Sequence, residues 1–173
     1  YNVANTVSLT TGTQKNQTYV SVGAVNARGI IQNNDLDRYN FSVRNTTSML
    51  NDKLTMDLSF MYSNVKEQNM LSQGEYANPL VPVYLFPRGD DFSKYQYYER
   101  YDVDRNIKTQ FWPLKENGLS MQNPYWITNR NMYTNKKDRF LASGSLKYTI
   151  TDWLNVSGRV KLDKETINSE KKM

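Results

Sequence analysis

The side chains of this sequence with most scope for chemistry are its acidic residues, because the chain contains no His and no Cys. A Ser-His-Asp triad, thiol catalysis, disulfides and the commonest zinc ligands are therefore excluded. The pairs Asp90-Asp91 and Asp102/Asp104 offer oxygen ligands for calcium, but the EF-hand spacing is absent and a solvated acidic loop explains them more simply. Nothing marks Asp57 and Asp163 as a general acid–base pair. We predict no enzyme, no metal and no cofactor.

A second set of candidate site residues is aromatic and lies between Glu67 and Lys137. This stretch contains all five prolines of the chain, which predict an ordered, non-helical path. Flat rings with a polar tip suit the stacking of a sugar or the docking of a partner protein. The same rings also suit a small core of the loop itself, and the sequence leaves this alternative open. The candidate ligand- or partner-binding residues are Tyr97, Tyr98, Tyr101, Trp112, Tyr125 and Trp126.

The segments that flank this stretch alternate apolar and polar residues, which predicts β-strands with one apolar face. From Leu154 to Leu162 the even positions are apolar or Gly and the odd positions are polar, whereas a helical face there would bury nothing coherent. The same period predicts an antiparallel meander of about six long strands and no convincing helix. The predicted strands are 1–9, 17–25, 39–44, 54–63, 140–150 and 154–163.

The apolar face carries aromatic residues at both ends and aliphatic residues between them, the pattern of aromatic girdles at lipid interfaces. The opposite face carries charged residues, and there we expect Asp57 and Asp163 to pair with Arg44, Arg159 or Lys161. The predicted lipid-facing and girdle residues are Tyr39, Phe41, Leu58, Phe60, Tyr62, Phe140, Leu146, Tyr148, Trp153, Val156 and Val160.

The predicted connections differ in length at the two ends of the strands. Connections 10–16, 51–53 and 151–153 are short, whereas 26–36 is medium and 67–137 is very long. Alternate turns of a meander share one rim, so this asymmetry is typical of an outer-membrane barrel with long extracellular loops. A soluble sandwich whose apolar face meets a second sheet explains the alternation but not the rim asymmetry or the strand length. Since a barrel needs at least about eight strands, we expect the chain to be a segment of one.

Charge and hydropathy agree with this interpretation. The net charge is +5, but the basic residues are scattered, so we predict no nucleic-acid partner. No run reaches the roughly 18 apolar residues of a membrane-spanning helix. The predicted organisation is therefore residues 1–66 as the first four strands, 67–137 as a long extracellular loop, 138–168 as a strand hairpin and 169–173 as a tail.

Several short runs resemble one family of outer-membrane proteins. The runs TYVSVG at 18–23, RGII at 28–31 and DLDRYN at 35–40 resemble the barrels of SusC/RagA-type TonB-dependent transporters of Bacteroidetes. A second group is similar in the same order: NPYW at 123–126, DRF at 138–140, LKY at 146–148, TDWL at 151–154 and GR at 158–159. Together these runs span most of the chain apart from the long loop.

The resemblance implies a barrel of roughly 22 strands in the bacterial outer membrane. Such proteins import oligosaccharides or peptides with energy from TonB and pair with a SusD-like surface lipoprotein. It implies that this chain is a passive barrel-wall segment, whose partners are that lipoprotein, TonB through other parts of the parent, the substrate and the bilayer. The alternative function is a soluble carbohydrate-binding β-domain that uses the aromatic loop.

Overall fold

A computed structural model describes residues 1–70, 77–112 and 122–172, and all of its long elements are strands. The order along the chain is β1 (Asn2–Gly12), β2 (Asn16–Arg28), β3 (Asp35–Met49), β4 (Leu54–Gln68), α1 (Leu80–Tyr84), a 3-10 helix (Phe92–Gln96), β5 (Glu99–Asp102), β6 (Ile107–Gln110), α2 (Pro124–Asn129), β7 (Met132–Thr151) and β8 (Leu154–Lys172).

Six of the strands form one antiparallel meander sheet in the order β1-β2-β3-β4-β7-β8. This confirms the predicted all-β class and the meander of about six strands. The sheet is not closed as a barrel, and within the described residues β1 and β8 are its edges. The strands are longer than the alternation predicts: β7 has 20 residues and β8 has 19, running through 169–172, which we predicted as a tail.

The tight turns between strands depend on residues that accept a positive φ. Gly12 has a φ of 145°, and a Cβ there would lie 2.0 Å from the backbone oxygen of Asn16, so only Gly fits. In the turn after β3, Leu50, Asn51 and Asp52 have φ between 55° and 65°. The Ser48 hydroxyl donates to the Asp52 carboxylate at 2.6 Å, which stabilises this strained conformation.

The chain divides into two compact units, which we name by their content. The sheet unit comprises Tyr1–Ala27, Leu36–Lys66 and Asn135–Asn168. The loop unit comprises Arg28–Asp35, Glu67–Thr134 and Ser169–Met173.

The loop unit contains the elements that the sequence pattern missed. The prediction of a non-helical path was wrong, since α1 and α2 are short helices and β5 pairs with β6 as a hairpin. The prolines do not prevent these helices because they occupy first-turn positions, where a missing N–H costs no hydrogen bond. Pro124 begins α2, and Pro82 is the third residue of α1.

Burial is confined to the loop unit. Among the described residues, the buried large apolar side chains are Trp112 and Ile127, and no residue of the eight strands is buried. The sheet unit therefore has no hydrophobic core of its own, although its strands are long.

Candidate functional site

One face of the sheet is held together by polar contacts between neighbouring strands. The hydroxyls of Ser21 and Ser42 lie 2.7 Å apart and connect β2 to β3. Ser63 donates to Asn40 at 2.7 Å and connects β4 to β3. The hydroxyls of Ser59 and Ser143, also 2.7 Å apart, connect β4 to β7. We call this surface the polar face.

Two ion pairs lie on the polar face. Arg44 donates to the Asp57 carboxylate at 2.7 Å, as predicted, and Thr46 donates to the same oxygen at 3.0 Å. We expected Asp163 to pair with Arg159 or Lys161. It instead binds Arg139 at 2.7 and 3.0 Å. Arg139 lies on the neighbouring strand β7 and contacts Asp163 with two guanidinium nitrogens, which gives a bidentate geometry.

The other face, which we call the apolar face, carries a continuous row of rings. Phe60 lies 6.1 Å from Phe41 and 4.8 Å from Phe140 between ring centroids, both in edge-to-face geometry. A shallow groove of about 510 Å³ lies next to these rings on the same face, with Val43, Ala142 and Val160 among its lining residues.

The predicted lipid-facing residues are nearly all exposed. Phe60 and Phe140 are half-buried in the ring row. The other nine are exposed: Tyr39, Phe41, Leu58, Tyr62, Leu146, Tyr148, Trp153, Val156 and Val160. The exposed fraction is 58% for Val156 and 77% for Val160. The face therefore presents a wide apolar surface that is uncovered in this structure.

A polar cluster lies beyond the rings at the end of the apolar face near the long loop. There Asp138 accepts from the Tyr62 hydroxyl and from the Asn64 amide, both at 2.7 Å. A second polar group lies within the face, where Asn45 lines the groove and its amide donates to Asn16 and to Thr18, both at 2.8 Å. Hydrogen-bonded polar residues thus bound the apolar band at the end near the long loop.

The loop unit is organised around Asn123, which is fully buried. Its amide nitrogen donates to the backbone oxygens of Tyr95 and Phe111, and its side-chain oxygen accepts from the Tyr125 N–H, each at 2.8 Å. The last bond also caps the N-terminus of α2. One side chain thus joins the 3-10 helix, the segment after β6 and α2.

The six predicted ring residues fall into two groups. Trp112 is buried among Phe86, Phe92 and Tyr95, so it belongs to the core of the loop unit. Tyr125 packs against Phe92, and Tyr98 packs against Trp126, all half-buried. Tyr97 and Tyr101 are exposed, at 72% and 57%. The structure does not bring the six together into one patch.

The acidic residues of the loop serve local structure. Asp91 caps the 3-10 helix by accepting from the Ser93 N–H at 3.0 Å and hydroxyl at 2.7 Å, which lowers the pKa of Asp91. Asp102 accepts from the Arg105 N–H at 3.1 Å in the hairpin turn. In the part of the chain that the structure describes, no group of three or more acidic side chains is arranged to hold a metal ion.

Glu99 of the loop unit forms ion pairs with two cationic side chains. It binds Lys108 at 2.6 Å and Arg130 at 2.7 Å, and thereby connects the β5–β6 hairpin to the end of α2. The hydrogen bond from Lys108 and then that from Arg130 lower the pKa of Glu99.

Sequence reasoning missed a cavity of about 500 Å³ in the loop unit, with Ile31, Ile127 and Tyr133 among its lining residues. Asparagines frame it: Asn33 and Asn69 donate to the Thr128 oxygen at 3.0 and 3.3 Å. Both have positive φ, which Asn tolerates better than most residues. The signal in the sequence is therefore these asparagines rather than the rings.

No protein-family model matches the sequence, and neither does any curated protein. None of the helices in the described ranges has the length and apolar character of a membrane-spanning helix.

Proposed function

We propose that this chain is a wall segment of a β-barrel in the bacterial outer membrane, in a TonB-dependent importer of the SusC/RagA type. Its apolar face contacts lipid, its polar face lines a water-filled interior, and its long loop is extracellular. The parent imports oligosaccharides or peptides with a SusD-like lipoprotein, and this chain has no catalytic step. The cargo and partners rest on the sequence resemblance alone.

The observation that carries the membrane assignment is the combination of an uncovered apolar face with a cross-linked polar face on one sheet. A soluble domain gains its stability by burying apolar side chains, and here no strand residue is buried. A lipid-facing barrel wall has no such requirement, because acyl chains cover the apolar side and water wets the other.

The height of the apolar band fits this assignment. From Leu154 to Leu162 in β8, the chain advances eight residues along the strand. At about 3.3 Å per residue and a tilt of about 40°, this spans roughly 20 Å of bilayer depth, near the ~25 Å apolar band of such barrels. At the end near the long loop, rings and then hydrogen-bonded polar groups bound the band, as at an interface of a bilayer.

The test compares two adjacent positions on opposite faces of β8. Val156→Arg places a charge on the apolar face, and Ser157→Arg is the matched control on the polar face. In chain refolded into phosphatidylcholine vesicles, we expect Val156→Arg to lower the free energy of unfolding by about 2–4 kcal/mol. Ser157→Arg should change it by no more than about 0.5 kcal/mol.

The opposite outcome has a defined meaning. If the chain folds as a monomer without detergent or lipid and Val156→Arg leaves that fold undisturbed, the apolar face does not contact a bilayer. The soluble carbohydrate-binding domain, with the exposed Tyr97 and Tyr101 as its binding residues, would then be the better account.

A further inference from the structure

The charges on the polar face of the sheet unit are unevenly distributed along the strands. Because side chains alternate along a strand, the residues on this face follow from the strand positions of its serines and ion pairs. Towards the long loop, the two signs are nearly balanced: Arg38, Lys137 and Arg139 against Asp163 and Glu165. Towards the tight turns, cations outnumber carboxylates: Arg44, Lys147, Arg159 and Lys161 against Asp57. We call this second part the basic half.

The residues just outside the basic half leave its excess of positive charge in place. The tight turns at that end carry two residues of each sign: Lys15, Asp52, Lys53 and Asp152. At the far end, β4 and β8 continue into the loop unit with Glu67 and Lys171, again one of each sign. Four cations against one carboxylate therefore leave three positive charges in excess in the basic half.

The register between β4 and β7 places the first of these cations. The hydroxyl contact between Ser59 and Ser143 fixes this register, and the bond from the Thr149 N–H to the Lys53 oxygen continues it towards the turns. It places Ser145 of β7 opposite Asp57 of β4. Lys147 follows Ser145 by two residues, so it lies on the same face about 7 Å further along β7.

The other two cations lie on the adjacent strand β8. Arg159 is close enough to Asp57, across β7, for its charge to act on that carboxylate. Lys161 follows Arg159 by two residues on the same face. Lys147, Arg159 and Lys161 therefore lie around Ser145, and we call them the three open cations.

The carboxylates near the three open cations are bound to other residues. Asp57 accepts from Arg44 at 2.7 and 3.0 Å and from the Thr46 hydroxyl at 3.0 Å. Asp163, two residues beyond Lys161, is held by two bonds from Arg139. Among the described residues, none of the three open cations forms an ion pair, and all three side chains are exposed. They are thus available to an anion from solution.

Hydroxyl groups next to the three open cations indicate what kind of anion fits. Ser145 is half-buried, and its hydroxyl forms no hydrogen bond within the described ranges. Ser157 precedes Arg159 by two residues on the same face. A hydroxyl both donates and accepts, as the hydroxyls of a sugar do, and the planar guanidinium of Arg159 matches a carboxylate with two parallel bonds. A ligand that carries both groups is an acidic sugar.

We propose that the basic half of the polar face binds a carboxylate of an acidic oligosaccharide, with Arg159 as the central cation and Lys147 and Lys161 beside it. The Ser145 hydroxyl binds a hydroxyl of the same sugar. This inference rests on the proposed function, because it takes the polar face as the wall of a water-filled interior. It narrows the cargo to sugars that carry carboxylate groups.

The experiment is a calorimetric titration of the whole chain in micelles of a non-ionic detergent, which leave the polar face open to water. The probes are trigalacturonic acid and its trimethyl ester, which keeps the rings and their hydroxyls but has no charge. We expect the acid to bind about tenfold more tightly than the ester. Arg159→Gln should reduce this preference by about fivefold, and Arg159→Gln/Lys161→Gln should remove it, with binding of the ester unchanged.

Two further variants control for charge and for folding. Arg38→Gln removes the same charge from an exposed position in the other half of the polar face, and it should keep the preference for the acid to within about twofold. Arg159→Lys keeps the charge but not the planar fork, so it should lose only about twofold. Retention in Arg159→Lys would show that the loss in Arg159→Gln does not come from misfolding.

The inference and the proposed function fail in different ways. If Val156→Arg leaves the chain undisturbed in vesicles, the proposed function fails, and the carboxylate site falls with it as a cargo site. If Val156→Arg destabilises the chain but acid and ester bind equally or not at all, the membrane location stands and the carboxylate site is refuted. An equal loss in Arg159→Gln and Arg38→Gln would also refute the site. A triaspartate peptide that bound as tightly as the acid would refute its assignment to a sugar.

Discussion

Replacement of Asn123 by Ala tests whether one buried amide organises the loop unit. The substitution removes three side-chain hydrogen bonds of 2.8 Å, to the Tyr95 oxygen, the Phe111 oxygen and the Tyr125 N–H. At a net value of about 1 kcal/mol each, their loss costs about 3 kcal/mol. If the two freed carbonyls stay without water, the total rises to about 5 kcal/mol, since buried unpaired groups add their own desolvation penalty.

Tryptophan fluorescence measures this loss directly. Trp112 is 4% exposed in the core that Asn123 borders, whereas Trp153 is 82% exposed. In a background with Trp126→Phe and Trp153→Phe, urea unfolding in detergent would follow Trp112 alone. We expect Asn123→Ala to lower the free energy of unfolding of the loop unit by about 3–5 kcal/mol.

Two companion variants give the comparison. Gln96→Ala removes a similar amide from an exposed position at the end of the 3-10 helix, and it should change stability by less than about 0.5 kcal/mol. Asn123→Asp keeps the acceptor for Tyr125 but sets a carboxylate against two carbonyl oxygens, so it should also destabilise the loop unit. A loss below about 1 kcal/mol for Asn123→Ala would refute the reasoning.

Three other predictions concern the loop unit. Hydrogen bonds from Lys108 and then from Arg130 lower the pKa of Glu99 in the folded state. Wild type should therefore be more stable than Glu99→Gln above the unfolded Glu pKa of about 4.3, and this difference in stability should disappear as the pH falls through the lower folded pKa. Urea unfolding across pH measures the difference, and an unchanged difference in acid would contradict the prediction. If the exposed rings of Tyr97 and Tyr101 stack on sugar, Tyr97→Ala and Tyr101→Ala should each weaken oligosaccharide binding by about two- to tenfold in a titration. The free energy of unfolding of each variant should change by less than about 0.5 kcal/mol. Trp112→Ala should instead cost about 3–5 kcal/mol of stability, and unchanged binding in both tyrosine variants would leave the rings without a ligand role.

The faces of the sheet were predictable because the alternation is strict where one side is apolar. The ends of the strands were less predictable because the alternation disappears where both sides are polar. Beyond Leu162, β8 continues with Lys164, Glu165 and Lys171, which give polar residues on both faces, so the period disappears although the strand does not. The partner of Asp163 required the register of β7 against β8, which no local pattern contains.

The loop unit was predictable only as a dense group of rings and prolines. Composition does not say which rings turn inward, so Trp112 and Tyr97 look alike in the sequence although one is buried and the other is exposed. Helices of five and six residues are also too short to show a helical period. The capping role of Asn123 before Pro124 is a local signal of α2 that was present, since Asn followed by Pro is a favourable helix start.

The central claim is that the two sides of one sheet face different solvents, and spin labels along β7 test it most directly. The chain has no native Cys, so single-cysteine variants are clean labelling sites. In lipid vesicles, the collision rate of each label would be measured with oxygen, which concentrates in lipid, and with a water-soluble nickel chelate. Three positions lie on the apolar face (Ala142, Leu146 and Tyr148) and three on the polar face (Ser143, Ser145 and Lys147).

The account predicts that labels at Ala142, Leu146 and Tyr148 collide mainly with oxygen, and that labels at the three positions of the polar face collide mainly with the nickel chelate. A period of two residues with this phase would support a sheet between lipid and water. Equal access of the chelate to both sets would contradict it, because the apolar face would then be in contact with water or covered by protein rather than by lipid.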